Sequence, residues 1–261
     1  MTSFTKNMYE SELVKYYDVM HQHRNYSQEC QFAANLIQQY CPRANHILDI
    51  GCGTGEHAIN MTHRGYTVTA IDTSSDMIQL AQEKATRAGV AIDFRCTNLH
   101  NLQVVEEFQA IYCLGYTLLY LTTYEEIMSF LTTVYQTLEP QGVLLIDFIN
   151  GWSLLDQYPR DKFVYTHENT TIMCFQQASL KKEERLRHIE FYYVIDHHDG
   201  QVQTIFAEED LRIFFDDEVQ FLLSMNGFQQ IASFRNYGSE IQEPTDISTI
   251  TLIAGQKHGD S

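Results

Sequence analysis

Basic residues are scarce in this chain: 17 Lys and Arg stand against 34 Asp and Glu, a formal net charge of −17. A surface that acidic repels phosphate backbones, so RNA, DNA and anionic membranes are disfavoured as partners; a small neutral or cationic molecule is favoured. Long apolar runs are also missing. No stretch approaches a membrane span, and the opening residues Met1-Thr2-Ser3-Phe4-Thr5-Lys6 lack the apolar core of a secretory signal. The six cysteines (Cys30, Cys41, Cys52, Cys96, Cys113 and Cys174) show no C-x-x-C spacing, which excludes a zinc knuckle and gives no disulfide framework. The histidine pairs His21/His23 and His197/His198 have no matching third ligand, so no metal is expected. Repeats and low-complexity tracts are absent. These absences describe a cytoplasmic globular protein, and 261 residues suffice to bury a full core.

What is present is an alternation of strand and helix. Phe32, Ala33, Leu36, Ile37 and Tyr40 fall at helical spacing over 27–40, and Pro42 stops that helix. Apolar runs at 46–50, 66–71, 90–95 and 108–114 read as strands, the last apolar enough to be central and parallel. Helices are expected over about 55–64, 74–88 with Ser74 or Ser75 as cap and Gly89 as stop, and 124–138. Glu139-Pro140-Gln141-Gly142 should turn the chain into a fifth strand, 143–148. After Gly151 the period becomes two: Ile189, Phe191, Tyr193 and Ile195 alternate, His198-Asp199-Gly200 offers a turn, and Leu211, Ile213 and Phe215 alternate again. Glu208-Glu209-Asp210 and Asp216-Asp217-Glu218 read as solvent faces, and Arg212 as a residue of the opposite sheet face, free to bind a substrate carboxylate or phosphate. A helix over 216–226 and strands near 228–236 and 247–254 finish the chain.

The expected fold is a doubly wound, seven-stranded Rossmann-like α/β sheet with an N-terminal helical lid and an inserted antiparallel β-sheet. The corresponding boundaries are 1–45 for the N-terminal helical segment, 46–150 for the Rossmann-like core, 151–215 for the antiparallel insertion and 216–261 for the completing helix and strands.

The most specific signal is Asp49-Ile50-Gly51-Cys52-Gly53-Thr54-Gly55, with a second apolar run ending at Asp72. Glycines let the backbone approach a ligand closely, the following helix offers it free N–H groups, and an acid at the next strand tip can accept from a ribose diol. Dinucleotide folds use G-x-G-x-x-G without an acid two residues ahead. The pattern here resembles motif I of the class I S-adenosylmethionine (SAM) dependent methyltransferases. That resemblance implies SAM as cofactor, S-adenosylhomocysteine as its product, and a small-molecule substrate. It implies that Asp49, Gly51, Cys52, Gly53 and Gly55 bind the cofactor, that Asp72 holds both ribose hydroxyls with Thr73 beside it, and that Met77 lies against the adenine. The family's Asp-Met/Leu pair after the third strand is Asn98-Leu99 here, with the amide oxygen taking over the acceptor role.

The segment Tyr17-Asp18-…-Arg24-Asn25-Tyr26-Ser27-Gln28-Glu29 resembles the Tyr-Asp…Lys-Asp-Tyr-x-x-Glu lid of small-molecule methyltransferases, including those acting on amino sugars and glycine-like amines. By that resemblance Tyr26 sits near the methionine portion and Tyr17 near the transferred methyl. Leu114-Gly115-Tyr116 follows the strand whose backbone passes the sulfonium, which makes Tyr116 an acceptor-side candidate. His21 is the candidate base by its position in the lid. Asn150 and Trp152, just past the fifth strand, are expected at the same mouth. An amine acceptor is favoured, by a monomer or homodimer. A hydroxyl or carboxylate acceptor, a nicotinamide-dependent oxidoreductase, and a non-catalytic SAM-binding protein remain open on these residues.

Overall fold

The protein is described by a computed structural model over residues 2–4, 9, 12–98, 107–156, 161–238 and 250–258. In chain order, a short strand β1 (Thr2–Phe4) precedes helices α1 (Tyr17–Met20) and α2 (Tyr26–Tyr40). Then come β2 (His46–Ile50), α3 (Glu56–His63), β3 (Thr67–Asp72), α4 (Ser75–Ala88), β4 (Asp93–Cys96), β5 (Phe108–Cys113), α5 (Tyr124–Thr137) and β6 (Leu138–Ile149). A short helix α6 (Gly151–Asp156) leads into strands β7 (Asp161–His167), β8 (Thr170–Lys181), β9 (Leu186–Asp196) and β10 (Val202–Arg212). Helix α7 (Asp216–Met225) and strands β11 (Phe228–Arg235) and β12 (Ile250–Lys257) follow.

The apolar runs pair as one seven-stranded sheet in the order β11-β12-β6-β5-β2-β3-β4, parallel except where β12 pairs antiparallel with β6 and β11. Successive side chains of a strand point to opposite faces, so each face needs its own helical cover. Leu48, Ile111 and Ile146 meet Ile127, Phe130, Leu131 and Val134 of α5 and Leu222 of α7 on one face. Ile47, Tyr112 and Leu145 meet Ala33 and Ile37 of α2 and Ala58 and Met61 of α3 on the other. Three of the helices, α2, α4 and α5, begin where a side chain takes an orphan N–H group. Asn25 accepts from Gln28 N, Ser74 from Met77 N, and Thr123 and Glu126 cap each other's backbone at the start of α5. Gly89 closes α4 in the left-handed conformation.

Strands β7 to β10 form the expected antiparallel insertion, and β1 adds to its edge in parallel with β10. The inner face of that sheet packs Ile172, Cys174, Tyr193 and Ile195 against Leu13, Tyr16 and Met20, which fixes the N-terminal segment over the core. Three details differ from the sequence reading. Glu139–Gly142 is an irregular start of β6 rather than a separate turn, with Gln141 at φ +62° and a register shift against β5. Neither β1 nor α6 carries a periodic apolar pattern, and neither was legible.

The third difference concerns Arg212, which is buried along with Leu211, Ile213 and Phe214 because the chain leaves the inserted sheet there and passes beneath the core. Phe214 bridges to Asn150. The guanidinium donates to Glu218 Oε1 and to the Thr122 carbonyl, both at 3.1 Å, and lies over the Tyr124 ring at 4.2 Å. Arg212 is thus a structural brace, and Glu218 is its enclosed partner instead of a solvent-facing acid. Removing one member of a buried pair strands the other, at about 3–5 kcal/mol. Arg212→Met should lose about that much stability by urea denaturation, and adding Glu218→Gln should recover part of it; unchanged stability in the single variant would contradict the brace.

Candidate active site

The carboxyl ends of β2, β3, β4 and β5 open into one crevice, where the strand order reverses on either side of β2. It holds a cavity of about 480 Å³, within the range of small-ligand sites.

Its floor is the loop 51–55. Gly51, Gly53 and Gly55 have φ of +72°, +51° and +80°, a region closed to most side chains. A Cβ on Gly51 would lie 2.4 Å from Thr117 Cγ2, and one on Gly55 3.0 Å from Ala81 Cβ, whereas Gly53 faces open space. Gly51 N and Cys52 N both donate to the Ile71 carbonyl, at 2.9 and 3.0 Å, and Gly53 N donates to Asp72 Oδ2 at 2.8 Å. Asp72 Oδ1 accepts from Ser74 N at 2.9 Å. Burial pushes the Asp72 carboxyl above its usual range while the Ser74, Gly53 and Thr73 amides pull the other way. Thr97 and Asn98 line the cavity beyond β4, with Thr97 N donating to the Asp72 carbonyl.

The roof comes from the N-terminal segment. Tyr17, Arg24 and Tyr26 line the cavity. The Arg24 guanidinium lies 4.9 Å from the Tyr26 ring and 5.0 Å from the Tyr116 ring. Its Nη2 and Nε donate to the two oxygens of Glu29 at 2.5 and 3.2 Å, and His57 Nε2 lies 2.8 Å from Glu29 Oε2. All three side chains are under a tenth exposed. A second latch joins α1 to the floor: Lys84 Nζ meets Asp18 Oδ2 at 2.5 Å and Glu56 Oε1 at 2.7 Å, while Thr54 Oγ1 donates to Asp18 Oδ1. Behind Arg24, the enclosed Asp147 accepts from Gly115 N, Tyr116 N and the Tyr237 hydroxyl.

A methyltransferase-domain profile matches residues 47–142, the strands and glycine loop that build this crevice. The chain is 27% identical over 215 residues to the putative methyltransferase YqeM of Bacillus subtilis, covering 82% of this chain and 83% of that protein. It is 29% identical over 161 residues to a glycine/sarcosine N-methyltransferase of Aphanothece halophytica, covering 60% and 59%. The chain is a class I SAM-dependent methyltransferase. The methyltransferase fold also matches Streptomyces venezuelae DesVI at a TM-score of 0.80 and 17% identity, over 95% of this chain and 99% of that one.

The crevice brings together much of what the methyltransferase resemblance assigned to it. Tyr17, Tyr26, Gly51, Cys52, Gly53, Asp72, Thr73, Asn98 and Leu114 line the cavity. Gly55 sits behind it as the N-cap of α3. Leu99 lies outside the described residues. Asp49 is enclosed beneath the loop, where burial lifts its carboxyl to about 7. Met77 is fully buried at the first turn of α4, its helical position turned into the core rather than toward the cavity.

The acceptor-side candidates fare differently. Tyr116 supports Arg24 from outside the cavity wall. His21 stacks on Tyr17 at 4.0 Å and donates from Nδ1 to the Tyr17 carbonyl, and burial lowers it to about 4, too acidic for a base near neutrality. Asn150 is tied to Asp216 and Thr251, and α6 turns Trp152 outward onto Phe215. Arg24, Glu29 and His57 were not singled out, although Arg24 and Glu29 occupy positions of the lid pattern itself. Among the described residues, no group of three His, Cys, Asp or Glu could hold a metal ion.

Burial pushes Glu29 upward, but hydrogen bonds from His57 and Arg24 outweigh it and leave the carboxyl at about 2, against an ordinary 4.5. A depressed folded-state value contributes stability that is complete above about 4.5 and lost as pH falls toward 2. Glu29→Gln should therefore cost about 3 kcal/mol at neutral pH. The gap from wild type should narrow as denaturation is repeated from pH 5 to pH 3; a gap constant over that range would contradict the latch.

Proposed function

We propose that this methyltransferase transfers a methyl group to an amine nitrogen of a small molecule. The observation that carries the reading is the wall formed by Tyr9, Tyr17 and Tyr120 beside the cavity, with ring centroids 6.0 Å apart for Tyr9–Tyr17 and 5.5 Å for Tyr9–Tyr120. Aromatic faces attract both a sulfonium and an ammonium. The acidic chain and its likeness to a glycine/sarcosine N-methyltransferase point the same way.

The donor groups of the crevice fit SAM. Asp72 offers carboxylate oxygens to a ribose diol, the Asn98 amide oxygen can accept from an adenine amino group, and Arg24 is the cation for the methionine carboxylate. Open space at Gly53 leaves room for the ligand's close approach. When bound, SAM supplies an electrophilic methyl on sulfur, so alignment and water exclusion are the protein's main tasks. Orientation of this kind is worth about 7–11 kcal/mol. The lid residues Tyr17 and Tyr26 shield the cavity from water, and the Arg24–Glu29–His57 cluster fixes the lid to α3. The acceptor nitrogen must be neutral when it attacks. No helix among the described residues is long and apolar enough to cross a membrane, and the six cysteines are unpaired, which suits the reducing cytoplasm.

Isothermal titration with SAM and S-adenosylhomocysteine should give micromolar affinities, and Asp72→Ala should weaken both about 100-fold, as two charge-assisted hydrogen bonds imply. In a substrate panel, S-adenosylhomocysteine should be released with amines. Turnover confined to hydroxyl or carboxylate compounds would replace the amine reading with O-methylation, and affinity unaffected by Asp72→Ala would remove the ribose role.

A further inference from the structure

Strand β10 places Ile205, Ala207, Glu209 and Leu211 on one face by the period-two rule, and the three apolar members are buried. Glu209 is the acid in that inward series. Its neighbour Asp210 points the other way and pairs with Lys181 and His188 at the surface. The Glu208-Glu209-Asp210 run is therefore not one solvent face: its middle member is turned toward the cavity wall.

Glu209 enters no ion pair among the described residues. Its Oε2 accepts from the Tyr120 hydroxyl at 3.1 Å, and its Oε1 is shielded from solvent with no hydrogen-bond partner among the described residues. Because Tyr120 spends its single proton on Glu209, the Tyr9 hydroxyl must donate to Tyr120. Four phenols lie close enough to feel the carboxylate's charge: Tyr120 after β5, which also donates to it, Tyr9 in the N-terminal segment, Tyr17 of α1 and Tyr193 of β9. None is cationic. An acid enclosed by phenols with one oxygen unsatisfied is costly to the fold, and a cation brought by the ligand would offset that cost.

We propose that Tyr120 receives the acceptor's ammonium group and that Glu209, acting through Tyr120, is the positioning residue that draws the cation in and stores its proton. This rests on the amine reading above. The phenol oxygen of Tyr120 has two lone pairs, one used by Tyr9 and the second available to an N–H on the cavity side. The ammonium proton passes to the Tyr120 oxygen as the Tyr120 proton passes to Glu209 Oε2. Tyr120 remains a neutral phenol, Glu209 becomes a carboxylic acid, and the nitrogen regains its lone pair. That pair forms the new carbon–nitrogen bond while the electrons of the carbon–sulfur bond return to sulfur, and Glu209 later releases its proton to solvent. Burial pushes the Glu209 carboxyl up to about 7, with the Tyr120 hydrogen bond pulling downward, so the group can take and release a proton near neutrality.

The test uses the whole protein saturated with S-adenosylhomocysteine and two probes, propylamine and its uncharged isostere propanol, titrated by NMR. Wild type should prefer propylammonium about tenfold or more, equivalent to about 1.4 kcal/mol. Glu209→Gln and Tyr120→Phe should each reduce that preference to near parity, with S-adenosylhomocysteine affinity unchanged. In protein labelled with ¹³C at the glutamate carboxyls, one resonance should titrate near neutral pH and vanish in Glu209→Gln. A preference that survives Glu209→Gln, or a Glu209 resonance titrating with the ordinary carboxyls, would overturn the proposal. No preference in wild type would overturn the amine reading with it, and failure of S-adenosylhomocysteine to bind would instead indict the cofactor site.

Discussion

Three backbone N–H groups hold the site together. Gly51 and Cys52 share the Ile71 carbonyl and Gly53 takes the Asp72 carboxylate, so the loop after β2 is stitched to the end of β3. These bonds are possible because Gly51 and Gly53 turn left-handed, which lets consecutive amides point the same way. The same stitching orients Asp72, starts α3 at Gly55 and leaves the crevice between β3 and β5 open. A side chain at Gly51 would strike Thr117, so the loop and the turn after β5 constrain each other across that crevice.

The roof depends on a different kind of force. The segment around α1 has little local stability of its own, since a four-residue helix cannot nucleate alone. It is held by apolar packing against the inserted sheet, by the buried Arg24–Glu29–His57 cluster that reaches α3, and by the partly exposed Lys84–Asp18–Glu56 cluster that reaches α3 and α4. In a chain carrying a net charge of −17, the cation enclosed beside Glu29 is costly to lose. The phenol wall on the side of the inserted sheet has the opposite character and favours cations. One cavity therefore offers distinct ends to a zwitterionic cofactor and to an acceptor.

The core was largely legible because parallel strands covered on both faces must be almost wholly apolar, and because left-handed loops demand glycine at fixed spacing. Asp72 was marked by its place at the end of an apolar run and Asn98 by the resemblance to the methyltransferase pattern, and both line the cavity. Side chains beyond the core were less legible, for reasons of packing. Met77 occupies the anticipated helix but on its core-facing side, and Trp152, expected at the mouth past the fifth strand, is turned away from the cavity by the short unforeseen helix α6. Arg212 was misjudged because two-residue alternation stops where β10 leaves its sheet, and Glu209 because a run of acids looks uniformly solvated in one dimension. The Arg24–Glu29–His57 cluster joins residues 28 positions apart, beyond the reach of periodicity.

The most direct measurement is a crystal structure with S-adenosylhomocysteine bound. The account requires the ribose hydroxyls on Asp72, the adenine edge at Asn98 and the amino-acid carboxylate at Arg24, with the glycine loop unchanged beneath. A ligand lodged outside the β2–β5 crevice, or bound there with its carboxylate away from Arg24, would contradict it.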